Sequence, residues 1–177
     1  LDFCVVGPNA KNTDDVDVLL AASRKEKVED RQGLAEAVGL QAAVLDIEAH
    51  AARLAAARLI AQLPNGGHDA LVALVKVGSS STSLQVVRND ELLFEREQSF
   101  GGVQLTQMLA KHYGFSAEEA EAKKRAGDLP GDYAKVVLKP FIDNLAAEVA
   151  RALQFFFTST PYHSVHQILV SGGTLEN

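Results

Sequence analysis

The spacing of hydrophobic positions changes near residue 65, and the change divides the chain in two. Residues 1–7 run apolar with partial alternation and predict a short strand, followed by a polar turn from Pro8 and Asn9 to Asp15. Val16–Ala22 predicts a second strand. Ser23 is placed to cap a helix reaching Val38, with Gly39 in the C-terminal glycine position. Its apolar stripe is thin (Val28, Leu34, Ala37, Val38), as suits a helix lying on a sheet. Ala42–Ile47 predicts another strand, and the alanine-rich stretch from Glu48 to Leu63 predicts a helix. Pro64-Asn65-Gly66-Gly67 stops that helix and marks the clearest boundary in the sequence.

Beyond the boundary the period becomes two. Ala70–Val77 is a nearly continuous apolar run, the mark of a central strand. Thr82–Val87 and Leu92–Gln98 alternate on either side of Asn89-Asp90, so the three runs predict a meander. Gln104–His112 predicts a helix stopped by Gly114, and Ser116 with Glu119 forms a capping box for a charged helix fading near Gly127. A long helix from about Tyr133 to Phe157 carries Phe141, Leu145, Val149, Leu153 and Phe157 at i, i+4 spacing, with Pro140 able to kink it. The cluster Phe155-Phe156-Phe157 reads as core, since aromatic side chains dominate buried area. Gln167–Val170 is a buried strand turned by Ser171-Gly172-Gly173, with Thr174 placed to cap a following helix. The fold class predicted is α/β.

Composition adds exclusions. The 177 residues are 47% hydrophobic and 23% charged, as in an ordinary globular protein. A net charge of −6 repels phosphate backbones and argues against nucleic acid. Cys4 is the only cysteine, which excludes an internal disulfide framework and fits a reducing compartment. No apolar run approaches the ~20 residues that cross a bilayer, so no direct membrane insertion is expected. The chain opens on Leu1 inside a strand-like run, without a start methionine or signal pattern, and stops three residues after Thr174. We expect a fragment cut at both ends.

Candidate chemistry lies in the turns. Lys76-Val77-Gly78-Ser79-Ser80-Ser81-Thr82 joins two strands, and its amides and hydroxyls suit an anion. Serine and glycine also serve any plain hairpin, which alone is the better reading. Ser171-Gly172-Gly173 lies at the carboxyl end of a buried strand, where ligands bind in open α/β sheets, and alone it is evenly balanced against an ordinary turn. Gly-x4-Gly-Lys-Ser/Thr and Gly-x-Gly-x-x-Gly are both missing, which disfavours those nucleotide folds. His163 and His166 lack a carboxylate or cysteine at ligand spacing, so we expect no metal there. Glu118 to Arg125 is a charge run whose plain reading is a solvated helix face.

The order of elements carries more than any single turn. A meander with a Gly-Ser/Thr hairpin, a Gly-Gly-x-x-Leu-Thr helix start, Glu-x-x-Lys on a charged helix and a strand ending in Gly-Gly resembles the second half of an actin, sugar-kinase or DnaK-type ATPase. The segments Val16-Asp-Val-Leu-Leu-Ala-Ala-Ser, Ala42-Ala-Val-Leu-Asp-Ile-Glu, Phe100-Gly-Gly-Val-Gln-Leu-Thr, Glu118-Glu-Ala-Glu-Ala-Lys-Lys and Leu153-Gln-Phe-Phe-Phe resemble blocks of the PilM family of type IV pilus assembly, in the same order. The resemblance implies a partial actin-like (ribonuclease H-like) ATPase fold with part of a small inserted α+β subdomain. By it, residues 1–40 are the latter half of inserted subdomain 1C and 41–64 return to subdomain 1A. Residues 65–177 are subdomains 2A and 2B, with 2B at roughly 116–160.

The same resemblance implies the site. Lys76, Gly78, Ser79, Ser80, Ser81 and Thr82 would face the phosphates, and Gly101 and Gly102 would open the helix beside them. Glu121 and Lys124 would touch adenosine, Gly172, Gly173 and Thr174 would lie under base and ribose, and Glu48 would position water. It implies ATP with Mg²⁺ in the intact protein and weak or no binding here, since the first phosphate hairpin would lie upstream of Leu1. The family has an acidic residue where this chain has Lys76. A lysine binds phosphate but repels a metal ion, which predicts binding without turnover. The implied partners are the cytoplasmic tail of PilN and the PilN/PilO inner-membrane complex, with cytoplasmic placement at the bacterial inner membrane and self-association through open edges. The alternatives are an active ATPase or small-molecule kinase of the superfamily, and a cytoplasmic domain of a related type II secretion protein without nucleotide.

Overall fold

Alternation in residues 70–98 yields three antiparallel strands, β3 (Val72–Val77), β4 (Thr82–Arg88) and β5 (Glu91–Gln98). The strand β6 (Gln167–Ser171) then pairs parallel to β3, giving a four-stranded sheet of order β5-β4-β3-β6. This is a computed structural model that describes residues 1–9 and 11–176. Its compact units are Leu1–Ala55 and Ala56–Asn177. The division falls inside the helix α2 (Glu48–Ile60), ahead of the 3₁₀ turn Pro64–Gly67.

The second unit holds the core. Ala73, Val75, Val77 and Leu84 bury one face of the sheet against Ala152 and Val149 of α5 (Lys139–Ser159). Phe156 is fully buried among Leu71, Val86 and Tyr162. A side chain of that size contributes about 1.5–3 kcal/mol by leaving water. Phe155, expected in the core, is 54% exposed, with the Arg96 guanidinium 5.4 Å from its ring centre. Three consecutive helical residues point in three directions, so only Phe156 of the trio faces fully inward.

The helices α3 (Gly102–Tyr113) and α4 (Ala117–Ala126) form a second cluster, in which Leu105 and Leu109 meet Ala120, Val137 and Phe141. Ser116 Oγ accepts the Glu119 N–H at 3.1 Å, one half of the expected capping box. The long helix expected from Tyr133 is preceded by a π turn over Ala134–Leu138 and becomes α-helical at Lys139. Pro140 has no N–H for the carbonyl four residues back, so the chain widens before it. At the other end of the sheet, His166 Nδ1 accepts the Leu71 N–H at 2.9 Å and ties the start of β3 to that of β6.

In the first unit β1 (Asp2–Pro8) pairs antiparallel with β2 (Val16–Ala21), and α1 (Lys25–Ala37) follows. Asn9 Oδ1 accepts the N–H groups of Lys11 and Asn12 in the intervening turn, where Ala10 lies outside the described residues. Ser23 does not cap α1. The helix starts two residues later, which sets Glu26 in its first turn, where a negative charge meets the helix dipole. The strand expected at Ala42–Ile47 does not form, and residues 41–47 run irregular into α2. A strand exists only with a ladder partner, and none of the described strands pairs there.

Phe3, Val5, Val18, Leu20 and Leu34 are all at least 49% exposed, and α1 buries no residue. A lone two-stranded ribbon is marginal in water, and apolar surface on this scale seeks a partner. The open edge of β6 adds Ile168 and Val170, both exposed. We expect the 177-residue chain to self-associate at roughly tens of micromolar, where contacts between apolar patches become populated. A monodisperse monomer by light scattering would overturn this.

Candidate functional site

Three turns of the second unit meet at one carbonyl. The hairpin between β3 and β4 closes with the Gly78 N–H donating to Ser81 O at 2.8 Å. The Gly78 carbonyl then accepts the Gly102 N–H at 3.0 Å and the Thr174 hydroxyl at 2.9 Å. The Ser79 carbonyl accepts the Val103 N–H at 2.8 Å, so the hairpin itself seats the first turn of α3.

Glycine is demanded by this approach. A Cβ on Gly101 would lie 2.5 Å from Gly78 O, and one on Gly102 would lie 2.7 Å from Thr174 Oγ1. Gly172 has φ +116°, and a Cβ there would also overlap the Val77 carbonyl. Only glycine adopts that backbone without strain. The sequence-derived residues Gly78, Gly101, Gly102, Gly172 and Thr174 are thus brought together, and Gly173 opens the short 3₁₀ turn beside them.

The donors divide sharply. Gln104 Oε1 accepts the Gly101 N–H at 2.7 Å, so the N–H groups of residues 101 to 103 are all held within the protein. The Ser81 hydroxyl donates to Glu97 Oε1 and the Thr82 hydroxyl to Phe100 O, each at 2.6 Å. Of the hydroxyls expected to face phosphate, these two spend their protons inside the fold. Ser79 and Ser80 are exposed, and no described group takes their amide or hydroxyl protons. Those two residues are what the hairpin can offer an anion.

Lys76 lies on the central strand β3, half-buried, with Cα partners Ser83 on β4 and Ser171 on β6. It is therefore not on a strand edge. Glu48 is the first residue of α2 and belongs to the first unit, whereas the turns just described belong to the second.

The Glu-x-x-Lys pair is engaged by a residue that sequence reading missed. Thr106 is buried on α3, four residues after Gly102, and its hydroxyl lies 3.2 Å from Gly102 O and 2.7 Å from Glu121 Oε2. Lys124 Nζ, also buried, donates to Thr106 Oγ1 at 2.7 Å and to Glu121 Oε2 at 2.6 Å. Arg125 Nε donates to Glu121 Oε1 at 2.9 Å. The signal was present as the threonine of Gly-Gly-x-x-Leu-Thr, but spacing within α3 does not say which residue of another helix it meets. Bonds from Lys124, then Thr106 and Arg125, outweigh burial and hold the Glu121 carboxyl down at about 2.

Structures sharing the fold include the ethanolamine utilization protein EutJ from Carboxydothermus hydrogenoformans, at TM-score 0.52 and 22% identity over 70% of this chain and 41% of that one. MreB5 of Spiroplasma citri bound to ADP matches at TM-score 0.53 and 14% identity over 86% and 55%. The fold is mixed α/β, with its structural neighbours in the actin-like ATPase family. A structure of a PilM-PilN type IV pilus biogenesis complex matches at TM-score 0.73 and 26% identity over 99% of this chain and 49% of that one. The family model for type IV pilus assembly protein PilM matches residues 1–176, and the chain belongs to that family. It spans about half the length of the solved structures it matches.

The depressed carboxyl of Glu121 has a consequence for stability. Its folded value, about 2, lies below the ordinary 4.5, so the stabilisation is complete above about pH 4.5 and is lost as pH falls toward 2. Thermal unfolding measured between pH 6 and 2.5 should show the midpoint falling more steeply in the native protein than in Glu121→Gln. Parallel curves would show that the network contributes nothing to folding.

Proposed function

We propose that the turns around Gly78 form one half of a nucleotide site, and that the protein works as a cytoplasmic scaffold of type IV pilus assembly. The observation that carries the nucleotide reading is the seating of two glycine turns on the Gly78 carbonyl of a third, beside the unengaged donors of Ser79 and Ser80. Amide and hydroxyl donors on a fixed backbone are the chemistry of phosphate binding, so the residues present fit ATP. Lys124 supplies a cation linked to Gly102 through the Thr106 hydroxyl. Glu48 remains a candidate for positioning water, and Gly173 and Thr174 for supporting the base and ribose.

The scaffold reading draws on the match to a PilM-PilN complex at 26% identity over 99% of this chain. By it, the partner is the cytoplasmic tail of PilN, which would link the protein to the PilN/PilO complex at the inner membrane. Calorimetry with a synthetic PilN tail and the full-length protein should give saturable binding. A tail that fails to bind at any accessible concentration would remove this role.

ATP with Mg²⁺ is proposed to bind the full-length protein and to turn over very slowly. Lys76 stands at the end of β3, where a carboxylate would hold the metal's water shell, and a cation there does the opposite. Steady-state hydrolysis by full-length protein and Lys76→Asp, with and without Mg²⁺, tests the site. We expect the variant to gain rate and metal dependence, and identical behaviour would show that Lys76 does not face the metal.

A further inference from the structure

The site holds a buried charge that helix packing does not require. Lys124 is 9% exposed and reaches from α4 to α3, where Thr106 and Glu121 receive it. An apolar pair of similar volume would join two helices at least as well, because burying an ammonium costs its hydration. Lysine has three N–H bonds, and two are given to Thr106 and Glu121. Glu121 is itself occupied, accepting from Thr106, Lys124 and Arg125. Arg125 keeps donors on the exposed side of Glu121, and the buried group left with an N–H to give is Lys124.

Thr106 decides where that ammonium sits. Its hydroxyl oxygen takes the Lys124 bond at 2.7 Å while lying 3.2 Å from the Gly102 carbonyl. The Gly102 amide is in turn bound to the phosphate hairpin at Gly78 O, 3.0 Å away. A free lysine side chain samples many rotamers, and the threonine selects the one next to the glycine turn.

We infer that Thr106 is a positioning residue for nucleotide binding, fixing the Lys124 ammonium beside Gly102 so that its remaining N–H meets the ligand. This rests on the nucleotide reading and deepens it, naming the residue that aims the Lys124 ammonium.

The test is a double-variant cycle read as ATP affinity in the full-length protein by calorimetry. Thr106→Val keeps the volume and removes the hydroxyl, and should weaken ATP about tenfold, the effect of one charge-assisted hydrogen bond. Thr106→Ser restores the hydroxyl and should bind as the native protein does. In a Lys124→Met background, Thr106→Val should cost nothing further, because the group it aims is gone. Additive losses would show that Thr106 acts only on packing and would overturn the inference, as would an unchanged affinity for Thr106→Val alone. Should the valine variant not fold, Thr106→Ala in the same cycle reads the same coupling. A native protein that does not bind ATP removes the nucleotide reading and this inference with it. Native binding with an unaffected Thr106→Val removes the inference alone.

Discussion

A single carbonyl oxygen organises the second unit. Gly78 O accepts from both Gly102 N–H and Thr174 Oγ1, so the hairpin, the start of α3 and the turn after β6 can only be where they are if all three reach it. That convergence leaves no room for side chains, which is why glycine stands at 101, 102 and 172. Each glycine gives up conformational entropy on folding. The arrangement costs stability and gains a close backbone approach, a trade seen where backbone must meet a ligand.

From that point order spreads outward through α3. Its first turn is held by the hairpin, its second turn places Thr106 against Glu121 and Lys124, and its apolar side packs Leu105 and Leu109 against Val137 and Phe141. The helix thus joins the hairpin through its first backbone amides, α4 through Thr106, and the apolar cluster through Leu105 and Leu109. The sheet is anchored separately, through Ala152 and Phe156 of α5, so the site rests on two packed layers. The first unit differs in kind: β1, β2 and α1 leave their larger apolar side chains exposed.

Much of the fold was legible because its information is local. The meander over residues 72–98, the turn at Asn89-Asp90 with positive φ at both positions, and the Ser116 cap each depend on neighbours in sequence. Even the family was readable, since blocks such as Phe100-Gly-Gly-Val-Gln-Leu-Thr and Leu153-Gln-Phe-Phe-Phe keep their order along the chain. The readings that failed were those that needed a partner. Ala42–Ile47 has the composition of a strand but no ladder to join, and Phe155 has the composition of core but lies on the outward side of α5.

The site shows the same division. Residue chemistry is enough to mark Gly78, Gly101, Gly102 and Gly172 as tight turns and Ser79 and Ser80 as donors, because small size and hydroxyl chemistry belong to the residues. Tertiary structure alone decided that these turns share one carbonyl, that Ser81 and Thr82 turn their protons to Glu97 and Phe100, and that Thr106 meets Lys124 eighteen positions away. Hydrogen bonds between distant elements depend on where helices and strands pack, and that packing is set by burial summed over the whole unit, which no short stretch of sequence encodes.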